Sequence, residues 1–394
     1  MTNLVEYLKK PIETIQAAAA ENDADAQNFL GHCYEHGIRM PKDQQTAVGY
    51  YSLAAEQGLA EAQINLGRCY EFGDGTEKDP QQAALWYRKA ADQKDPRALF
   101  LVGKCYFYGI GLQKDLFLAA GYFRMAAMRD DVLGQYRLGE CYENGYGVDK
   151  DPQQAAQWYR KAADQGYDPA QKELGDCYLN GFGVGKDPAQ AVEWYRKASE
   201  KKNAGAFNSL GYCYRRGLGV VRDQKMACDN YRTAASLGNA HGYYNLGYCY
   251  ENGVGVEKDP AQAAECYRKA AEKGDSDGQA SLGSCYLNGE GVAKDPVQAV
   301  MWYRKAAEQG DIYGQRNLGL CYEKGWGVNT DPEQAVLWYR KSAERGMGLA
   351  QYNLGLCYEK GFGVPRDLNV AGEWYRKALA NGIDTKAALE RIGQ

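Results

Sequence analysis

The chain has 394 residues, 51 acidic against 47 basic side chains, a formal net charge of −4 and 45% hydrophobic residues. Acidic and basic residues are interspersed along its length, which argues against a general affinity for nucleic-acid backbones or anionic membranes. No run approaches the roughly 18 apolar residues that span a bilayer.

In chain order, residues 1–22 come first. Lys9 and Lys10 precede Pro11 and only a weak apolar run follows, so the segment lacks the charged start, apolar stretch and cleavage site of a secretory signal. A cytoplasmic location is expected. Residues 11–20 fall in phase with the second helix of the repeat that follows, which predicts that residues 1–22 form a capping half-repeat.

From residue 23 to 382 one short unit is written ten times. Cys33, Cys69, Cys105, Cys141, Cys177, Cys213, Cys249, Cys285, Cys321 and Cys357 are each 36 residues from the next, with no insertion or deletion. A fixed period of this length marks a solenoid, in which each unit buries its apolar face against its neighbour. In the second copy Ala62, Leu66, Cys69, Tyr70 and Gly73 form one apolar stripe at helical spacing, and Gly67 admits a close helix contact. Gly73 and Gly75 suit positive φ and break the helix. Asp79 is the expected N-cap of a second helix, Pro80 its first residue and Gln82 the partner in a capping box. That helix carries Ala83, Trp86, Tyr87, Ala90 and Ala91 on one stripe and directs Gln81, Arg88, Lys89 and Asp92 to water. The expected fold is all-α: a right-handed superhelical α-solenoid of about ten antiparallel helix pairs, with first helices lining a concave wall and second helices outside.

This pattern resembles the Sel-one-like repeat, a relative of the tetratricopeptide repeat. In the fifth copy it reads Ala170, Leu174-Gly175, Tyr178, Gly181-Phe182-Gly183-Val184, Asp187, Ala191, Trp194-Tyr195 and Ala198. The resemblance covers about nine tenths of the chain and implies an adaptor or scaffold for protein assembly. The chain departs from the pattern in its cysteine row and in replacing Trp by Asn230 and Cys266. Residues 383–394, with Lys386, Glu390 and Arg391 on a polar face, predict a C-terminal capping helix. The whole of 1–394 is read as one repeat domain.

Several motifs that suggest chemistry have plainer readings. Gly-x-Gly recurs between two helices in nearly every unit, for example Gly145-Tyr146-Gly147, whereas phosphate loops join a strand to a helix. The cysteines lie on the buried stripe, neighbouring copies are too far apart to bridge, and no Cys-x-x-Cys pair exists. Cys228 and Cys266, which fall in second helices, are only slightly better candidates for reactive thiols. His32 and His36 are one turn apart and could chelate a metal, but are read as solvated. No catalytic residues, cofactor or metal are expected.

The informative residues are those that change between copies. Two after the buried Leu the row runs His32, Arg68, Lys104, Glu140, Asp176, Tyr212, Tyr248, Ser284, Leu320, Leu356. Two before it, the row runs Asn28, Ile64, Phe100, Tyr136, Lys172, Asn208, Tyr244, Ala280, Arg316, Tyr352. At 100° per residue both rows, and the position five after the Leu, should line the groove. The expected function is a non-catalytic scaffold that binds a protein or peptide there, since tyrosine and arginine dominate binding hot spots. The sharpest cluster is Tyr212, Arg215, Arg216, Tyr244 and Tyr248; a companion patch is Phe100, Lys104, Phe107, Tyr108 and Tyr136. Two other readings remain open at this point: an RNA reader, disfavoured by the acidic balance, and a repeat array with no evolved ligand.

Overall fold

The computed structural model describes residues 7–393, and among them the regular structure is twenty-two helices and no strand. Each of the ten units supplies two antiparallel helices, as in Ala60–Phe72 and Pro80–Asp92 of the second repeat. The first ends where Gly73 turns left-handed at φ 82°, and the Cys69 carbonyl accepts from the amides of both Gly73 and Asp74 at 2.8 and 3.1 Å. The Asp79 carboxylate opens the next helix by accepting from the amides of Gln81 and Gln82, each at 3.0 Å. The capping box expected at Gln82 is replaced: the Asp79 amide that it would satisfy donates to the Tyr70 carbonyl at 2.9 Å, tying the second helix back to the first.

Inside nine of the ten pairs a tyrosine of the second helix is the largest fully buried group, and in the third Phe123 takes its place. Tyr87 is 1% exposed and its ring rests on Gly67, where an added Cβ would stand 2.6 Å from ring carbon Cε1. Ala83, Ala90, Ala98, Val102 and Cys105 close the rest of that core, Leu66 and Cys69 pack with Tyr51 of the preceding unit, and all twelve cysteines are buried free thiols. Burial pushes the Cys105 thiol up to about 12, in keeping with a side chain that serves as a small hydrophobe.

Two contacts set one unit on the next. Gly75, at φ 74°, packs on the first turn of the preceding second helix (Gln44–Glu56) so closely that a Cβ would lie 2.1 Å from the Gln44 carbonyl oxygen. A buried glutamine adds a polar stitch. Gln63 donates to the Ala55 carbonyl at 3.1 Å and accepts from Gln93 at 2.9 Å, and Gln135, Gln171, Gln279, Gln315 and Gln351 are buried at the same place in later units.

By packing, the chain divides into two compact units, residues 1–191 and 192–394, the boundary falling within the helix Pro188–Glu200. At the start, Ile12–Ala20 buries Ile15 and Ala19 against Ala26, Phe29 and Cys33; residues 1–6 of the expected N-terminal cap lie outside the described residues. At the end, the short helix Lys386–Arg391 sets Ala388 against Ala371 and Tyr375, and Gln394 lies outside the described residues. No helix among the described residues is long and apolar enough to cross a membrane.

Candidate interaction surface

The position five after the buried leucine of a first helix stands sixteen residues before the buried ring of the second helix, and where that position is glutamate it meets the tyrosine hydroxyl. In six units it is a carboxylate that accepts from that hydroxyl: Glu35 from Tyr51 at 2.6 Å, Glu71 from Tyr87 at 2.8 Å, Glu143 from Tyr159 at 2.5 Å, Glu251 from Tyr267 at 3.0 Å, Glu323 from Tyr339 at 2.7 Å, and Glu359 from Tyr375. Burial and the adjoining carboxylate hold the Tyr87 hydroxyl well above the usual tyrosine range. Several of these carboxylates also take a cation from the following segment: Arg68 on Glu35, Lys104 on Glu71 at 2.7 Å and Arg391 on Glu359.

Where the glutamate is missing, the tyrosine end adjusts. In the third repeat Phe107 faces Phe123, ring centroids 6.2 Å apart, so neither partner carries a polar atom. In the eighth, Leu287 stands at the glutamate position and the Tyr303 hydroxyl pairs with Ser284 at 2.9 Å. The sixth repeat differs from both. Arg215 takes the place, the Tyr231 hydroxyl lies beside it outside aligned hydrogen-bond geometry, and both that hydroxyl and Arg215 Nε are enclosed without a hydrogen-bond partner.

The residues singled out in the sequence are distributed unevenly. Tyr212 is 37% exposed, Arg216 is exposed, and Arg215 sits between the Tyr212 and Tyr248 rings, 5.8 and 5.2 Å from their centroids. Arg215, Arg216 and Tyr248 share a pocket of about 300 Å³ with Arg222, Gln224 and Val254. Tyr244 is half-buried, its centroid 5.9 Å from Tyr267 and 5.2 Å from His241, and it lines a different pocket with Asp277 and Tyr313. In the companion patch Tyr108 is the exposed ring, 53% accessible, and its hydroxyl accepts from Arg137 at 3.1 Å. Phe100 is half-buried against Phe123 at 5.8 Å, Tyr136 packs on Tyr159 and Tyr167 at 5.8 and 5.3 Å, and Lys104 is held by Glu71.

The row two before the leucine is not the uniformly open face expected. Asn28, Ile64 and Ala280 are buried because the next first helix covers them, as when Asn65 donates to Asn28 at 3.0 Å. On the second helices Lys89 does more than face water: its ammonium covers the Trp86 ring at 3.7 Å, a pairing repeated from Lys161 on Trp158 to Lys377 on Trp374. An apolar area not anticipated lies on Leu116–Ala127, where Phe117, Leu118 and Met125 are exposed beside a cavity of about 780 Å³. Its signal was the run Leu116-Phe117-Leu118, where six other units carry Pro-x-Gln.

Two groups could converge on a cation. His32, Glu35 and His36 have donor atoms within 4.8 Å of one another, but Glu35 is already engaged by Tyr51 and Arg68. His241, Asp275 and Asp277 form the second group; Asp275 accepts from the Gly278 amide at 2.7 Å and lies 3.1 Å from His241 Nδ1. The bond to Asp275 raises His241 above the ordinary histidine value, whereas burial and the His36 charge lower His32. Cys228 and Cys266 are both buried, and burial pushes Cys266 up to about 11.

The Sel1 repeat family model matches ten successive segments from residue 24 to residue 383. Among solved structures, the chain is similar to c5321, a protective antigen present in uropathogenic Escherichia coli strains and displaying an SLR fold. Identity is 34% over 97% of this chain and 90% of that one, with a TM-score of 0.64. It is also similar to a Sel1 repeat protein from Oxalobacter formigenes, at 34% identity over 62% of this chain and 96% of that one, TM-score 0.55. No curated protein gives a significant match. Proteins built from this repeat generally act as protein-interaction scaffolds and are generally non-catalytic. With every 36-residue unit accounted for by one repeat type, the chain belongs to the Sel1 repeat family.

Proposed function

We propose that this protein is a non-catalytic scaffold that captures a protein or peptide segment in the groove of its first helices. The main attachment point is Tyr212, Arg215, Arg216, Tyr244 and Tyr248 on Ala204–Arg216 and Ala240–Asn252; Phe100, Lys104, Tyr108 and Tyr136 form a secondary one on Pro96–Tyr108 and Val132–Asn144. The observation that carries this reading is the guanidinium of Arg215 set between two tyrosine rings beside an open pocket. Aromatic and arginine side chains supply most of the energy of interfaces, and those seated on helices lose little freedom when a partner docks. In the secondary patch Tyr108 offers the exposed ring, while Lys104, already committed to Glu71, helps shape a pocket of about 200 Å³ with Phe100.

The test is capture of the host's natural partner by immobilised protein, comparing wild type with the Tyr212→Ala/Tyr248→Ala double variant. Loss of two hot-spot rings should weaken retention by roughly 30-fold or more at an unchanged melting temperature. Undiminished retention by a variant of unaltered stability would remove these repeats from the binding surface.

A further inference from the structure

We propose that the pocket between the sixth and seventh repeats recognises the carboxylates of an acidic, Asp/Glu-rich peptide segment. This rests on the scaffold reading and adds the chemistry of the partner. The position occupied by Arg215 is Glu35, Glu71, Glu143, Glu251, Glu323 or Glu359 in six other units and Phe107, Leu179 or Leu287 in three, so Arg215 is the one cation in the row. Four of the six glutamates take a cation within the protein, Arg68 on Glu35, Lys104 on Glu71, Lys324 on Glu323 and Arg391 on Glu359. The residue that would play the part of Lys104 for Arg215 is Tyr248, which stacks on the guanidinium and brings no countercharge. Among the described residues no carboxylate is paired with Arg215, Arg216 or Arg222, and Arg215 Nε is enclosed with no hydrogen-bond partner. Arg222 is steadied by Gln224, whose amide, turned with its oxygen toward the guanidinium, accepts from Nε and Nη2 at 2.8 and 2.7 Å.

Three guanidinium groups thus border a pocket of about 300 Å³ whose other walls include Tyr248 and Val254. Guanidinium forks pair with carboxylates through two parallel hydrogen bonds, and an unpaired one that is partly enclosed gains most from such a partner. The tyrosine rings and Val254 suit the methylene stems of Glu side chains or an intervening apolar residue. The protein carries a net charge of −4, so an acidic peptide is repelled by the chain as a whole and its binding would be confined to a local positive site.

The probe is a fluorescein-labelled dodecapeptide of glutamate, followed by fluorescence anisotropy at neutral pH and low salt against the full chain. The wild type should bind it, with affinity falling as salt rises. The same peptide with Gln at every position should bind at least tenfold more weakly, because the charge-assisted component is lost. Arg215→Glu should weaken binding by about 30-fold or more. That variant installs the residue found in six other units, opposite the tyrosine hydroxyl it pairs with there, so it should melt no lower than wild type. Arg216→Ala/Arg222→Ala, both changes at exposed positions, should cost about tenfold. Equal binding of the Glu and Gln peptides, no wild-type binding at low salt, or undiminished binding by Arg215→Glu would each overturn the assignment. Complete displacement by 10 mM inorganic phosphate at matched ionic strength, about that of common buffers, would also overturn it by making the pocket a phosphate site. If the acidic peptide fails while Tyr212→Ala/Tyr248→Ala still weakens partner capture, the carboxylate inference falls and the scaffold reading stands; if neither matters, both fall.

Discussion

The second and sixth repeats have the same two helices, the same left-handed glycine turn and the same buried tyrosine, yet one residue makes them different objects. In the second, Glu71 accepts from Tyr87 at 2.8 Å and from Lys104 at 2.7 Å, and every polar group at the junction has a partner within the chain. In the sixth, Arg215 leaves the Tyr231 hydroxyl and its own Nε without hydrogen bonds and turns a cation toward the Tyr212 and Tyr248 rings. The third repeat reaches a different resolution, Phe107 against Phe123, with no polar atom left to satisfy. A junction that is polar and complete, or wholly apolar, serves the fold; one that is polar and incomplete is available to a ligand.

The sharpest way to break this comparison is Glu71→Ala. It strands the Tyr87 hydroxyl in a buried site and releases Lys104, and should cost roughly 3 kcal/mol, whereas Arg215→Ala, with no internal partner to strand, should cost less than about 1 kcal/mol. Thermal melts of the two variants decide the matter; equal losses would show that the sixth junction is as structural as the second. Next in size is the double variant Glu71→Leu/Tyr87→Phe, which imitates the third repeat by removing both polar ends. It should recover to within about 1 kcal/mol of wild type, because replacing both partners by apolar groups leaves nothing unsatisfied. A double variant as damaged as Glu71→Ala would refute that account.

The smallest effect is a titration. His241, near Arg215 but bonded to Asp275, should show an NMR midpoint above 6.5, and His32 in the first repeat a midpoint below it. The stabilisation that His241 provides through Asp275 is present in full below its unfolded value of about 6.5 and is lost as pH rises through the higher folded value. Coincident midpoints for the two histidines would contradict the placement of Asp275 and Asp277 around His241.

Much of the fold was legible in the chain itself. The recurrence of Cys33 to Cys357 defined the unit, the stripe of Ala62, Leu66 and Cys69 defined a buried helix face, and Asp79-Pro80 marked the start of its partner almost to the residue. The site was legible only in part. Tyr212 and Arg215 are one turn apart on one helix, so their proximity followed from spacing, but the capping role assigned to Gln82 failed because the Asp79 amide found the Tyr70 carbonyl first. Spacing directs Lys89 to water, and no sequence rule requires it to fold over Trp86 as it does. The glutamate junction left a trace that could have been noticed: at Phe107 and Phe123 both members change together, which is what a shared hydrogen bond would produce.

The sequence by itself therefore determined the repeat length, the helix boundaries, the buried stripe and the places where glycine is obligatory, because these depend on interactions within a turn or two of the chain. Tertiary structure alone decided which polar groups meet sixteen or thirty-three residues apart, that Asn28 and Ile64 lie under the next helix, and that Arg215 Nε is enclosed without a hydrogen-bond partner. Those outcomes depend on how far apart the packed helices stand and how each is rotated, which local spacing does not encode.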